Sequence, residues 1–232
     1  MPAKSTVKPT HPTARVARVP SATEAAPERR DAAVASGRKL VLASTSRYRR
    51  MLLERLGLPF EAVAPEVDET PLPGEAPAAT AYRLAAAKAR SVAGTHRDAL
   101  IIGSDQVADC QGEAVGKPGT HENAVAQLHA LSGQTVVFHT GLALLDAASG
   151  ACQTALVDVR STYRHLTSGE IEGYLRREQP YDCAGSVRSE SLGIALFERI
   201  ESDDPTALIG LPLIQLARML AAAGVTVLTP PQ

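Results

Sequence analysis

Two long β-patterned runs, 134–145 and 153–163, stand on either side of "DAASG" at 146–150. Runs of that length, joined by so short a turn-forming segment, close as an antiparallel hairpin. Elsewhere from Lys39 onward, apolar runs alternate with amphipathic stretches, which is the pattern of an α/β fold. A hairpin inside such a chain forbids a purely parallel sheet, so the expected fold is a mixed sheet flanked by helices. Further strands are expected at 39–43, 60–63, 100–103, 107–110, 113–115, 193–199 and 225–228. Helices are expected at 47–56, 77–92, 120–131, 167–177 and 212–223. Gly57 and Gly224 supply stops for the first and last, and "TSGE" at 167–170 is a capping-box sequence.

The 232 residues carry a net charge of -1, but unevenly. Residues 1–38 hold seven Lys or Arg against three acids, together with five prolines and almost no large apolar side chain. They read as a disordered N-terminal extension, with the folded domain spanning 39–232. Glu24, Glu28 and Asp31 argue against a transit peptide, and no apolar core for a secretory signal or membrane span is present. The rest of the chain is acidic, and eight aromatics without Trp give few stacking platforms, so neither nucleic acid nor a membrane is an expected partner. Cys110, Cys152 and Cys183 lack C-x-x-C spacing and read as thiols of a reducing cytosol, consistent with a cytoplasmic protein.

In α/β folds ligands gather beyond the carboxyl ends of strands, which directs attention to polar residues just after apolar runs. "ASTSRYRR" at 43–50 puts Ser44, Thr45 and Ser46 at a strand-to-helix turn and three arginines in the helix's first turn, where the macrodipole disfavours cations. Either an anion such as a di- or triphosphate offsets that cost, or these are a serine cap and solvated arginines, Arg50 pairing with Glu54. "LIIGSDQVADC" at 100–110 presents Asp105, which could hold a divalent cation, deprotonate water or merely cap a turn. "VGKPG" at 115–119 is a stiff loop offering Lys117 as a point charge. It is not a Walker A loop, because its glycine spacing is one residue short and Pro118 replaces the magnesium-binding hydroxyl. "PEVDET" at 65–70 is a solvated acidic loop or a second source of a metal ligand. Lys88 on "AYRLAAAKAR" sits between alanines and by default reads as an exposed lysine, and 181–200 offers a recognition loop holding Ser186, Arg188, Ser189 and Glu190. No H-E-x-x-H or G-x-S-x-G motif exists.

Taken in order, "LASTSRYRRMLL", "APEVDET", "RLAAAKA", "IIGSDQV", "GKP", "LSGQ", "TGLAL", "YDCAGSVRSESLGIALFERI" and "GLPL" closely resemble the Maf-like nucleotide pyrophosphatases, over about Lys39 to Leu228. "CAGS" followed by "SE" is similar to the branch acting on 7-methyl-GTP; the dTTP/UTP branch carries Asp-Lys-Ala-Gly and a glutamine there. The resemblance implies an elongated α/β fold with a mixed sheet and two lobes around a central cleft. It implies hydrolysis of a nucleoside triphosphate to the monophosphate and diphosphate, with dependence on a divalent metal (Mg²⁺, Mn²⁺ or Co²⁺). By position it implies Asp105 as general base and, with Glu69, as metal ligand. Ser44, Arg49, Lys88 and Lys117 match phosphate-site residues, and Tyr48, Gln106 and Glu190 match positions that set base preference. It leaves room for a homodimer, and for a nucleotide-sensing regulator linked to septum formation. This chain departs from the pattern in Tyr48, where tryptophan is frequent, in Arg47, where proline is usual, and in its N-terminal extension.

Overall fold

The computed structural model describes residues 37–228; the extension read at 1–38 lies outside these, apart from its last two residues. One of them, Arg38, pairs with Asp146 and donates to the carbonyl of Ala99.

Strand β1 (Leu40–Ala43) leads through the serine turn into helix α1 (Arg47–Glu54), which Gly57 terminates at φ +68°. Strand β2 (Glu61–Val63) and helix α2 (Pro77–Ser91) follow, α2 opening with proline at its first turn, where the missing N–H costs nothing. Strand β3 (Leu100–Cys110) turns through Gln111 and Gly112, both at positive φ, into β4 (Glu113–Val115). After α3 (His121–Leu131), β5 (Thr135–Asp146) and β6 (Cys152–Tyr163) form the hairpin that the sequence predicts. Helix α4 (Ser168–Glu178) carries the complete capping box between Thr167 and Glu170. The chain ends with β7 (Phe197–Glu201) and α5 (Leu213–Ala222).

The seven strands make one open mixed sheet, ordered β2-β1-β3-β5-β6-β7, with β4 paired to β3. β1 is parallel to β2 and β3, whereas β3, β5, β6 and β7 pair antiparallel in turn. Leu52, Leu53, Leu216 and Leu220 of α1 and α5 pack with Leu42, Ile102 and Leu144 on one face. Ala85 and Ala89 of α2 pack with Val41, Ile101 and Ala143 on the other. Leu128 of α3 and Ile171 and Leu175 of α4 close a third cluster around Phe138 and Tyr163.

Three sequence expectations need correction. Positions 100–103 and 107–110 are one strand of 11 residues, so Ser104, Asp105 and Gln106 sit in mid-strand and not at the end of β3. The strand need not break because every one of these polar groups has a partner: Ser104 Oγ donates to the carbonyls of Gly141 and Gly210, and Gln106 Nε2 to those of Ala207 and Leu208. The carboxyl edge that matters belongs to β1, whose pairing with β3 ends at Leu42 and Ile102, while β3 runs on past it beside β5. Residues 192–196 form a 3₁₀ turn before β7, wound so tightly that a Cβ at Gly193 would lie 2.3 Å from the Arg188 carbonyl oxygen. Residues 225–228 form no strand; the Val225 amide instead closes the end of α5 on the Leu220 carbonyl at 2.8 Å.

Candidate active site

The site begins with how closely α2 lies on the sheet. A Cβ at Gly103 would sit 2.1 Å from the Ala85 carbonyl oxygen, and one at Gly141 would sit 2.2 Å from that of Ala81. Glycine on the strands and alanine on the helix therefore bring the two backbones into contact, and Lys88, one turn from Ala85, is pressed down onto β3. Its ammonium Nζ lies 2.5 Å from Asp105 Oδ1 and 2.6 Å from Glu69 Oε1. The Lys88 and Asp105 side chains are 6% and 9% exposed, against 58% for Glu69, so a buried ion pair is extended toward solvent by a second carboxylate. The surface-lysine alternative for Lys88 is thereby excluded.

Glu69 rides on the loop between β2 and α2. Burial raises its carboxyl, but the Lys88 hydrogen bond and the charges of Lys88, Lys117 and Arg49 outweigh that and hold it below the usual range. The loop is anchored by Glu75, which accepts from Arg83 Nε at 2.6 Å, the Leu72 amide at 3.0 Å and Thr80 Oγ1 at 3.0 Å. These bonds lower its carboxyl to about 2. Sequence reasoning passed over Glu75; its only signal was an acid just ahead of the Pro77 helix start.

The three arginines of α1 part company. Ser46 caps the helix by accepting from the Arg49 amide, and Ser44 Oγ, buried, accepts from the Ser46 amide at 3.1 Å. Arg49 turns inward, donating from Nε to the Gly210 carbonyl at 2.9 Å. Burial lowers the basicity of its guanidinium, and Asp105 and Glu69 work in the opposite direction. Arg50 stays exposed. Arg47 lies over the Tyr48 ring, 4.7 Å from its centroid, and donates to the Tyr48 hydroxyl at 2.6 Å, while the Arg188 guanidinium lies 5.8 Å from the same centroid. The Tyr48 ring is thus already flanked by two cations.

Lys117 is exposed on a loop fixed from three sides: the Gly119 amide bonds to the Tyr181 carbonyl at 3.0 Å, Asn123 to the Pro118 carbonyl at 3.0 Å, and Gln127 to the Gly116 carbonyl at 3.0 Å. Ser44, Tyr48, Arg49, Glu69, Lys88, Asp105, Gln106, Lys117 and Glu190 all line one cleft of about 780 Å³, within the range of small-molecule sites. Gln106 contributes least, because its amide nitrogen is spent on the Ala207 and Leu208 carbonyls and Thr140. Cys183 shares the cleft, but burial first, and Asp182 second, push its thiol up to about 11, so it offers no thiolate nucleophile.

Among the described residues no three His, Cys, Asp or Glu side chains are grouped to hold a metal unaided. Asp105 and Glu69 nevertheless bring two hard carboxylates to one ammonium in one hollow. That donor set fits a cation of the magnesium type, which takes one or two carboxylates and completes its shell with phosphate oxygens and water. Among the described residues no helix is long and apolar enough to cross a membrane.

The family described as Maf-like protein matches this chain over residues 39–223. The chain is 63% identical over 190 residues to a 7-methyl-GTP pyrophosphatase from Polaromonas sp., a match covering 82% of this chain and 87% of that one. It is 62% identical over 192 residues to one from Thiobacillus denitrificans, covering 83% and 96%. A third, from Cupriavidus metallidurans, is 56% identical over 185 residues, covering 80% and 93%. The matched span runs from β1 through α5 and includes every residue that lines the cleft, so this chain belongs to the Maf-like protein family.

Proposed function

We propose that the protein is a nucleoside triphosphate pyrophosphatase that converts 7-methyl-GTP and water to 7-methyl-GMP and diphosphate. The observation that carries this reading is the Lys88 ammonium shared by Asp105 and Glu69 in a cleft that also holds Arg49 and Lys117. Relatives named 7-methyl-GTP pyrophosphatase at about 60% identity support the choice of substrate.

Arg49, Lys117 and the N-terminus of α1 receive the phosphates, which explains cations where the macrodipole opposes them. Lys88 holds Asp105 through Oδ1, leaving Oδ2 to accept a proton from water. The water oxygen bonds to the α-phosphorus, the α–β bridging P–O bond breaks, and diphosphate leaves against the charges of Arg49 and Lys117. A divalent cation (Mg²⁺, Mn²⁺ or Co²⁺) held by Asp105 and Glu69 would, when bound, neutralise charge on the phosphate oxygens. At the other end of the cleft, methylation at N7 makes guanine cationic. Tyr48 offers that cation an aromatic face once Arg47, which lies over the ring, swings aside, and Glu190 accepts from the N1–H and 2-amino edge.

Every side chain in this reading comes from one chain, within the domain we assign to 39–232, with 1–38 as a separate extension. A soluble nucleotide substrate and free thiols fit a cytoplasmic enzyme. Diphosphate release from 7-methyl-GTP, GTP, dTTP and UTP, compared side by side with added metal, tests the reading. Turnover of 7-methyl-GTP at about 1 s⁻¹ or faster, ahead of the other three, supports it. Preference for dTTP or UTP, or no turnover, overturns it.

A further inference from the structure

Glu190 is not alone at the base-recognising end of the cleft. Arg188 Nε lies 3.9 Å from Glu190 Oε1, beyond hydrogen-bond reach, and that Nε is buried without a hydrogen-bond partner. Of the two terminal nitrogens, Nη1 is hydrogen-bonded and Nη2 makes only an ion pair. Nη1 donates to the Glu178 carbonyl at 2.8 Å and lies 3.3 Å from its Oε2, and Nη2 lies 3.6 Å from Asp182 Oδ1. The backbone of Arg188 is held as firmly, its amide donating to Tyr174 Oη at 3.0 Å and its carbonyl accepting from the Gly193 amide at 3.0 Å. The fold thus holds one cation beside both Tyr48 and Glu190 and leaves its Nε unpaired 3.9 Å from the carboxylate.

The need for that cation follows from the surroundings of Glu190. Its side chain is only 22% exposed, and this burial raises its carboxyl, with Glu178 at the end of α4 pushing the same way. Its own backbone, then Arg188 and Arg47, oppose that rise without cancelling it. Tyr48 on α1 and Asp182 and Cys183 on the preceding loop line the same end of the cleft. A protonated carboxyl would present an O–H toward the donor edge of guanine and lose the match. A direct Arg188–Glu190 hydrogen bond would occupy the acceptor that the base requires. At 3.9 Å the direct bond is absent, while the Arg188 charge still works against protonation of the carboxyl.

We propose that Arg188 is a positioning residue for substrate selection: anchored on Glu178, it keeps Glu190 a charged acceptor with its oxygens free for the base. This rests on the assignment of Glu190 to base recognition. In the full chain, kcat and KM for 7-methyl-GTP and UTP are measured from about pH 6 to 9 for wild type, Arg188→Gln, Arg188→Lys and Glu190→Gln. Arg188→Gln is expected to lose about tenfold of the preference for 7-methyl-GTP at neutral pH, through KM, the size of one charge-assisted hydrogen bond. Without Arg188 the carboxyl titrates higher, so the preference is weakest at low pH and returns as pH rises. Arg188→Lys keeps most of it, and Glu190→Gln loses it at every pH. An Arg188→Gln preference that tracks wild type, or a loss that neither high pH nor Arg188→Lys restores, overturns the proposal. A wild type without preference for 7-methyl-GTP overturns the underlying reading as well, so the two failures are distinct.

Discussion

The Lys88 ammonium lies 2.5 Å from the Asp105 carboxylate because neither Gly103 nor Gly141 has a side chain. Ala81 and Ala85 of α2 sit directly on those strand positions, and the lysine one turn further along has nowhere to go but onto β3. The position of this buried ion pair is in this way decided by two glycines on the strands beneath α2.

Gly103→Ala is therefore expected to act on stability and turnover together. The added methyl must push α2 off the sheet, an overpacking cost of about 1 to 3 kcal/mol. The thermal midpoint should drop by roughly 2 to 4 °C for each kcal/mol in a chain of this size. kcat should fall as Lys88 and Asp105 separate. Calorimetry and a steady-state assay on the same preparation check both halves.

Lys88→Met leaves the buried Asp105 carboxylate without its ammonium. Removing one partner of a buried pair costs about 3 to 5 kcal/mol. Lys88→Met combined with Asp105→Asn should recover a large part of that loss, since a neutral amide tolerates the site far better. Chemical denaturation of the single and double variants measures the recovery.

Arg47 occupies the first helical position of α1, where an N–H has no partner inside the helix. Arg47→Pro should accordingly change stability by no more than about 0.5 kcal/mol. It should also tighten nucleotide binding about two- to fivefold, because the guanidinium now covering the Tyr48 ring is removed. Titration with 7-methyl-GMP, the product, reads this without turnover.

Glu75 is one of the carboxylates that shape the acid side of the stability profile. Its carboxyl falls from 4.5 to about 2 on folding, so its contribution is complete above the unfolded value and is lost as pH falls toward the folded one. Melting curves between about pH 5 and 2 should show wild type losing its advantage over Glu75→Gln across that window. Above it, the loop bearing Glu69 should be cut faster by protease in the variant.

Much of this architecture was legible in the sequence because local rules and tertiary structure agree. Gly57, Gly224 and the Thr167–Glu170 box end or begin helices where their chemistry requires. The hairpin of β5 and β6 follows from alternation around "DAASG". Sequence reasoning stumbled where polar residues are satisfied from a distance. Ser104 and Gln106 look like a strand end until the Gly210, Ala207 and Leu208 carbonyls, about a hundred positions away, are seen to accept from them. The strand expected at 193–199 holds only from Phe197 on, because close packing on the Arg188 backbone winds the residues before it into a 3₁₀ turn. Glu75 escaped for a related reason, since it acts by holding its own loop in place.

The account stands or falls on Asp105, and diphosphate release by Asp105→Asn is its most direct test. With 7-methyl-GTP as substrate, and with the variant still folded and binding 7-methyl-GMP at the assay temperature, turnover should fall by at least about 10²-fold. Turnover equal to wild type would contradict it.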